Sequence, residues 1–233
     1  VGLTVMRSLG VPDVKARINN RKVLDGILDC LSVEGVDRRH AVLRAVDKLP
    51  KIGREAVCRE LEATAELDAQ QQADLFSFFE CDVQEPQLDA LRLLLTNSER
   101  GLEGVDELCA LSDFLAQSGL REQVEIDLSI ARGLDYYTGT IYETFVTSHP
   151  EYGSVMSGGR YDTLLGMFLK KSIPAVGISV GVDRLIALLS EMGALTGRAG
   201  AADVFAVVFD DADHGPLQQV AQRLRGQGLK VEV

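Results

Sequence analysis

An α+β fold is predicted, in which an antiparallel β-sheet is interrupted by a helical module and followed by the start of an α/β unit. Three observations carry this reading. Period-two segments at 124–128, 140–146, 153–157 and 175–182 follow one another too closely for a helical crossover between each pair. Between 34 and 120 the apolar residues recur instead at helical spacing, as in Leu102, Val105, Leu108 and Leu111, with Phe114 and Leu115 continuing the stripe. From 203 onward, DVFAVVF, a polar helical stretch to about Gly226 and LKVEV read as the start of a βαβ unit.

Taken in order, residues 3–9 read as the tail of a helix stopped by Gly10 and Pro12, and Val14 to Ile18 alternate as a short strand. Asn19, Asn20 and Arg21 read as a polar turn whose Asn side chains satisfy nearby backbone amides, and a helix follows from about Arg21. The helical module is expected to hold about four to six segments. It carries 18 acidic residues against 9 basic ones, most of the imbalance of the whole chain. Such a face is either solvated or a docking surface for a partner. Within the sheet region, Gly158 to Asp162 are expected directly after a strand and before a helical TLLGMF. A helix from near Asp183 presents Leu185, Ile186, Leu188, Leu189 and Met192 as its apolar stripe. The expected divisions are 1–33, the helical module at 34–123, the sheet region at 124–193, a small, Gly-rich linker at 194–202, and a second domain from 203 to 233 that is cut off.

The 233 residues are 46% hydrophobic and 25% charged, ordinary globular usage with enough chain for a sizeable core. A formal charge of -11 repels a polyanion on average, so nucleic acid would need a local basic patch or a part outside this sequence. No apolar run approaches the roughly 18 residues of a membrane-spanning helix, and the N-terminus lacks the layout of a signal peptide. A soluble, cytoplasmic protein without a membrane partner is expected. Cys30, Cys58, Cys81 and Cys109 are too widely spaced for a CxxC site and are expected to be unpaired. His40, His149 and His214 are equally scattered, so no protein-bound metal site is expected. The chain starts at Val1 without an initiator Met and stops straight after a strand-like stretch, so it is expected to be a piece of something longer.

Three segments carry chemistry. ARGLDYYTGTIYE, from Ala131 to Glu143, places a cation, a carboxylate and two adjacent tyrosines in a connection between strands. Arg132 offers a planar fork suited to carboxylate or phosphate oxygens, and Tyr136 and Tyr137 offer hydroxyls on rigid apolar bodies. A purely structural alternative pairs Arg132 with Asp135 and puts both tyrosines in the core. GGRYD, with Gly158, Gly159 and Tyr161, allows a tight turn or a close ligand approach. In GISVGVDR, Gly177 and Gly181 remove side chains that would block a flat ligand, and Arg184 opens the next helix. There the alternative is a close contact between sheet and helix with a surface arginine.

Together, in this order, the three segments resemble the histidyl-tRNA synthetases of class II. RGLDYYTG looks like that family's first histidine motif, GGRYD like its second, and GISVGVDRL like class II motif 3; INNRKVLDGIL and the helical block are similar as well. The resemblance implies the antiparallel sheet of a class II catalytic core with an insertion domain, followed by the start of an anticodon-binding domain. It implies an enzyme, a histidine–tRNA ligase, that joins histidine to ATP as histidyl-adenylate and passes the histidyl group to tRNA(His), with Mg²⁺ brought largely by ATP. Arg132 would be the catalytic residue, contacting the histidine carboxylate and the α-phosphate. Tyr136, Tyr137, Tyr161, Gly159 and Gly177 would form the histidine pocket, and Arg132, Gly181 and Arg184 the ATP site. Asp183 stands where the family's motif 3 usually has Glu, and motifs 1 and 2 are not among these residues. A homodimer is implied for the full-length parent, and residues 1–233 alone are not expected to make the adenylate. Two other relatives share the fold: the non-catalytic regulatory subunit of ATP phosphoribosyltransferase, a histidine-sensing module, and the sensor domain fused to a protein kinase. Arg132 favours the enzyme, because a histidine sensor need not stabilise a phosphoryl transition state.

Overall fold

The computed structural model describes residues 1–81, 83, 88–133, 136–169, 171–195 and 202–233. Most of the expected 194–202 linker, and Asp135 as a partner for Arg132, lie outside the described residues. The described chain divides into two compact units, Val1–Leu189 and Ser190–Val233.

The first unit opens with helix α1 (Gly2–Ser8), strand β1 (Val14–Asn20) and helix α2 (Arg21–Cys30). Asn19 and Asn20 belong to the end of the strand and form no turn, although their side chains do satisfy backbone groups. The side chain of Asn20 caps α2 by accepting from the Lys22 amide, and the backbone N–H of Asn20 donates to Asn19 Oδ1 at 2.7 Å. Helices α3 (Val36–Asp47), α4 (Leu49–Ala65), α5 (Ala69–Glu80), α6 (Asp89–Leu94) and α7 (Glu99–Gln117) follow, in line with the expected helical module. Two devices hold α3 and α7 on α2. Glycines at the crossing let α7 approach α2 so closely that a Cβ on Gly26 would stand 2.4 Å from Gly101 Cα. The buried carboxylate of Asp25 gathers Arg21, Arg39 and Arg100, tying α2, α3 and α7 together.

Strand β2 (Val124–Ile126) then pairs with β1, and β3 (Thr140–Val146), β4 (Ser154–Tyr161) and β5 (Ala175–Val180) complete a sheet of order β2-β1-β3-β4-β5, with α8 (Gly166–Leu169) between β4 and β5. All neighbours are antiparallel except β1 and β2. The sheet is therefore mostly, not wholly, antiparallel. Its parallel pair is the one separated by the entire helical module, which supplies the long crossover that parallel strands need. Two further expectations are corrected. Gly158 and Gly159 lie inside β4, paired on both sides, and do not follow it, because the ladder continues to Tyr161. Within TLLGMF the helix begins only at Gly166.

Helix α9 (Val182–Glu191) starts in this unit, with Leu185, Leu188 and Leu189 buried; Ile186 of the expected stripe is exposed. Helical and sheet residues share one core, in which Leu24, Ile27, Val42, Leu61, Leu75 and Leu108 meet Ile126, Ile130 and Ile141. The second unit contains β6 (Val204–Phe205), α10 (His214–Gly226) and β7 (Val231–Glu232), with β6 and β7 parallel. Among the described residues no helix is long and apolar enough to cross a membrane.

Candidate active site

Register across the sheet sets out the site in two adjacent rows. Arg17, Glu143, Ser157 and Ser179 stand side by side on β1, β3, β4 and β5, and two residues along stand Asn19, Ile141, Gly159 and Gly177. Residues in register share a face, so a charged row runs beside a row that ends in two glycines.

The first row borders a cleft of about 220 Å³, whose lining includes Arg17, Asp47, Asp127, Arg132, Glu143, Ser154 and Arg184. Arg132 reaches it from a buried base. Ile130 and Ala131 are core residues, and Asn19 Nδ2, fully buried, donates to the carbonyls of Leu128 at 3.1 Å and Ile130 at 2.9 Å. The second conspicuous Asn of the sequence thus caps a helix, while the first fixes the segment that launches Arg132. Arg132 Nε lies 2.8 Å from Glu143 Oε1 and 3.5 Å from Asp47 Oδ1. Both Nε and Oε1 are buried, and the contact is ionic without the alignment of a hydrogen bond. Burial pushes the Glu143 carboxyl above the usual carboxylate range; Arg132 opposes that shift and Asp47 adds to it. On the opposite wall, Arg184 in the first turn of α9 donates through Nη1 to the Ser154 carbonyl at 2.8 Å. Gly181 lies just before that helix, where a Cβ would come within 3.8 Å of Arg184.

The second row carries the aromatics. Tyr136 and Tyr137 have ring centroids 4.3 Å apart, and Tyr161 lies 6.3 Å from the first and 6.5 Å from the second. Tyr137 packs on two glycines: a Cβ on Gly159 would stand 2.8 Å from its ring, and one on Gly133, at φ 68°, 1.8 Å. Tyr161 covers the paired glycine, its hydroxyl 2.8 Å from where a Cβ of Gly177 would be. Burial first, and a hydrogen bond with Tyr136 second, raise the Tyr137 phenol well above its usual range. It stays protonated and able to donate at neutral pH. Thr138 fastens the loop to β4, its hydroxyl donating to Asp162 Oδ2 at 3.0 Å and its amide to the Arg160 carbonyl at 2.9 Å.

The expected site residues therefore fall into two neighbouring groups. Arg132 and Arg184 line the cleft, with Gly181 beside Arg184, and Tyr136, Tyr137, Tyr161, Gly159 and Gly177 gather at the aromatic cluster. Gly133 bridges them, since its carbonyl accepts from the Tyr137 amide at 3.2 Å directly after Arg132 in the chain.

The family model for histidyl-tRNA synthetase matches residues 1–185. The chain belongs to the histidyl-tRNA synthetase family. Curated histidine–tRNA ligases similar to it include one from Rhodopirellula baltica, 38% identical over 231 residues, and one from Thermobifida fusca, 41% identical over 233. Each alignment takes in 98% of this chain and 52% of the relative, so the chain spans about half the length of the curated relatives it matches. A crystal structure of histidyl-tRNA synthetase from Nostoc sp. PCC 7120 superposes with a TM-score of 0.77 at 35% identity, covering 99% of this chain and 54% of that one. A Bacillus halodurans structure titled an ATP phosphoribosyltransferase regulatory subunit/histidyl-tRNA synthetase has a TM-score of 0.63 at 23% identity, which shows the shared fold alone.

Glu143, Asp47 and Asn19 are absent from the site read in the sequence. Glu143 had a usable signal: a carboxylate in an alternating strand on the same parity as Ile141, a position that should point inward. Asp47 closes an ordinary amphipathic helix and had none.

Proposed function

We propose that this chain is the later half of the catalytic core of a histidine–tRNA ligase, together with an insertion domain and the start of an anticodon-binding domain. The whole protein activates histidine with ATP and transfers it to tRNA(His). The observation that carries the proposal is the convergence of Arg132 and Arg184 on one cleft, next to a tyrosine cluster floored by Gly159 and Gly177. In this reading ATP lies along the cleft, with Arg184 against the adenine face and the phosphates, and Gly181 leaving room beside it. Histidine sits among Tyr136, Tyr137 and Tyr161, with the hydroxyls of Tyr137 and Tyr161 meeting the ring nitrogens, as aliphatic competitors cannot.

Attack of the histidine carboxylate on the α-phosphorus brings two anions together. The new bond joins a carboxylate oxygen to phosphorus, and pyrophosphate leaves. Arg132, fixed by its buried base and already charged, stabilises the crowded oxygens as they form without reorganising. The cleft offers a metal one carboxylate, Glu151, because the other three on its lining are taken up by arginines. Asp47 and Glu143 face Arg132, and Asp127 faces Arg17 at 3.3 Å. Mg²⁺ belongs with the phosphates of ATP.

The test is histidine-dependent exchange of pyrophosphate into ATP by the full-length protein. Exchange above background supports the ligase. Histidine binding with no exchange and no charging of tRNA(His) would overturn it in favour of a sensor.

A further inference from the structure

The carboxylate of Asp47 comes to Arg132 from far along the chain, out of the helical segment between α2 and β2. We infer that Asp47 is a positioning residue for Arg132, through which this helical segment sets the aim of the arginine at the cleft. The inference rests on the ligase reading.

The geometry is that of a bracket. Glu143 Oε1 at 2.8 Å and Asp47 Oδ1 at 3.5 Å both engage Nε, while the side chain remains 40% exposed and lines the cleft. One carboxylate beside Nε leaves the guanidinium free to swing; a second, from another element, narrows that swing by charge, since Nε has no aligned hydrogen bond, and leaves the terminal fork for an anion. Asp47 is also the last residue of α3, where the helix terminus adds negative potential to the carboxylate. The same segment forms part of the wall of the cleft through Pro50 and Lys51.

Asp47 is placed by the whole helix. Near its start, α3 is moored to α2 by Arg39, which donates to the Asp25 carbonyl at 2.9 Å and pairs with Asp29 at 2.8 Å. Asp47 lies eight residues further on, roughly 12 Å along the axis. A tilt about the Arg39 mooring therefore moves Asp47 more than it moves the mooring. Any ligand that shifts the helical segment alters the hold on Arg132, and substrates that seize Arg132 act on the segment in return.

The experiment is a mutant cycle in the full-length protein. Asp47→Asn should lower kcat for pyrophosphate exchange by about tenfold, as misaiming a reactive group does, with KM for histidine and ATP within twofold. Asp47→Glu should restore most of the loss. In an Arg132→Ala background, Asp47→Asn should change nothing further. An equal loss in that background, or a rise in kcat, overturns the inference. The Arg132 Nε–H resonance in ¹⁵N-arginine-labelled protein reads the bracket without activity, and it should shift in Asp47→Asn. An unshifted resonance overturns the inference. A shifted resonance in a parent that performs no exchange keeps the bracket and overturns the ligase reading alone.

Discussion

The charged cleft and the aromatic cluster stand on adjacent rows of one sheet face, yet they achieve rigidity by opposite means. At the cleft, position is set by charge. Arg132 is held between Glu143 and Asp47, and Arg184 is tied to a strand carbonyl. At the cluster, position is set by shape: two registered glycines lower the floor, and Tyr137 and Tyr161 fill what the missing side chains vacate. The difference teaches which substitutions each region tolerates. A charge bracket fails when a charge is removed, and a packed floor fails when an atom is added.

Removing the cation should have the largest effect. In the full-length ligase, Arg132→Ala is expected to lower kcat for histidine activation by about 10²–10³, the range for losing one preorganised transition-state donor, while histidine affinity changes far less. Pyrophosphate exchange combined with equilibrium histidine binding separates the two. A kcat within about threefold of the parent, roughly 0.65 kcal/mol, would end the catalytic assignment.

Adding an atom comes next and sharpens the contrast within the glycines. A Cβ on Gly158 would stand 2.1 Å from the Gly177 carbonyl oxygen, which belongs to paired backbone and cannot move alone. Gly158→Ala should therefore destabilise the protein by about 3 kcal/mol, the upper part of the overpacking range. At Gly177 the nearest atom is the Tyr161 hydroxyl, the far end of a side chain. Gly177→Ala should cost only about 1 kcal/mol of stability but displace Tyr161 and weaken histidine binding. Urea midpoints rank the two, and equal midpoints would show that the floor is looser than its register suggests.

The bracket also has a pH signature. The folded state raises the Glu143 pKa, so its contribution to stability is fully present below the ordinary carboxylate value of about 4.3 and is lost as pH rises through the raised one. Glu143→Gln removes that dependence. Relative to the parent, the variant should gain stability as pH rises from 4 towards 8, by about 1 kcal/mol, the scale of a buried polar group with imperfect partners. A constant difference across that range would mean that Arg132 fully offsets the burial of Glu143.

Much of this was legible in the sequence because local pattern governs it. Alternation placed the strands, helical spacing placed the module, and one connection held Arg132, Tyr136 and Tyr137 together. The rest depends on register and on distance along the chain. The pairing of Gly159 with Gly177 follows from β4 running unbroken through the glycines, where their usual role as turn formers argued for a strand end. The parallel β1–β2 pair and the reach of Asp47 depend on how a helical segment folds back across the sheet, and no window of residues contains that.

The smallest expected effects test the aromatic half alone. Tyr137→Phe and Tyr161→Phe each remove one hydroxyl and leave the ring that fills the space over Gly159 or Gly177. Neither should alter the floor. A neutral hydrogen bond contributes about 0.5–1.5 kcal/mol, so histidine affinity should fall roughly three- to tenfold in each variant while ATP affinity stays within twofold. Tyr136→Phe should do less, because its side is open, with the residue 41% exposed, and water can replace what is lost. Titrations of histidine and of ATP against the three variants decide the matter. Equal losses for both ligands would mean that the tyrosines support the charged cleft as well, and that the two rows work as one site.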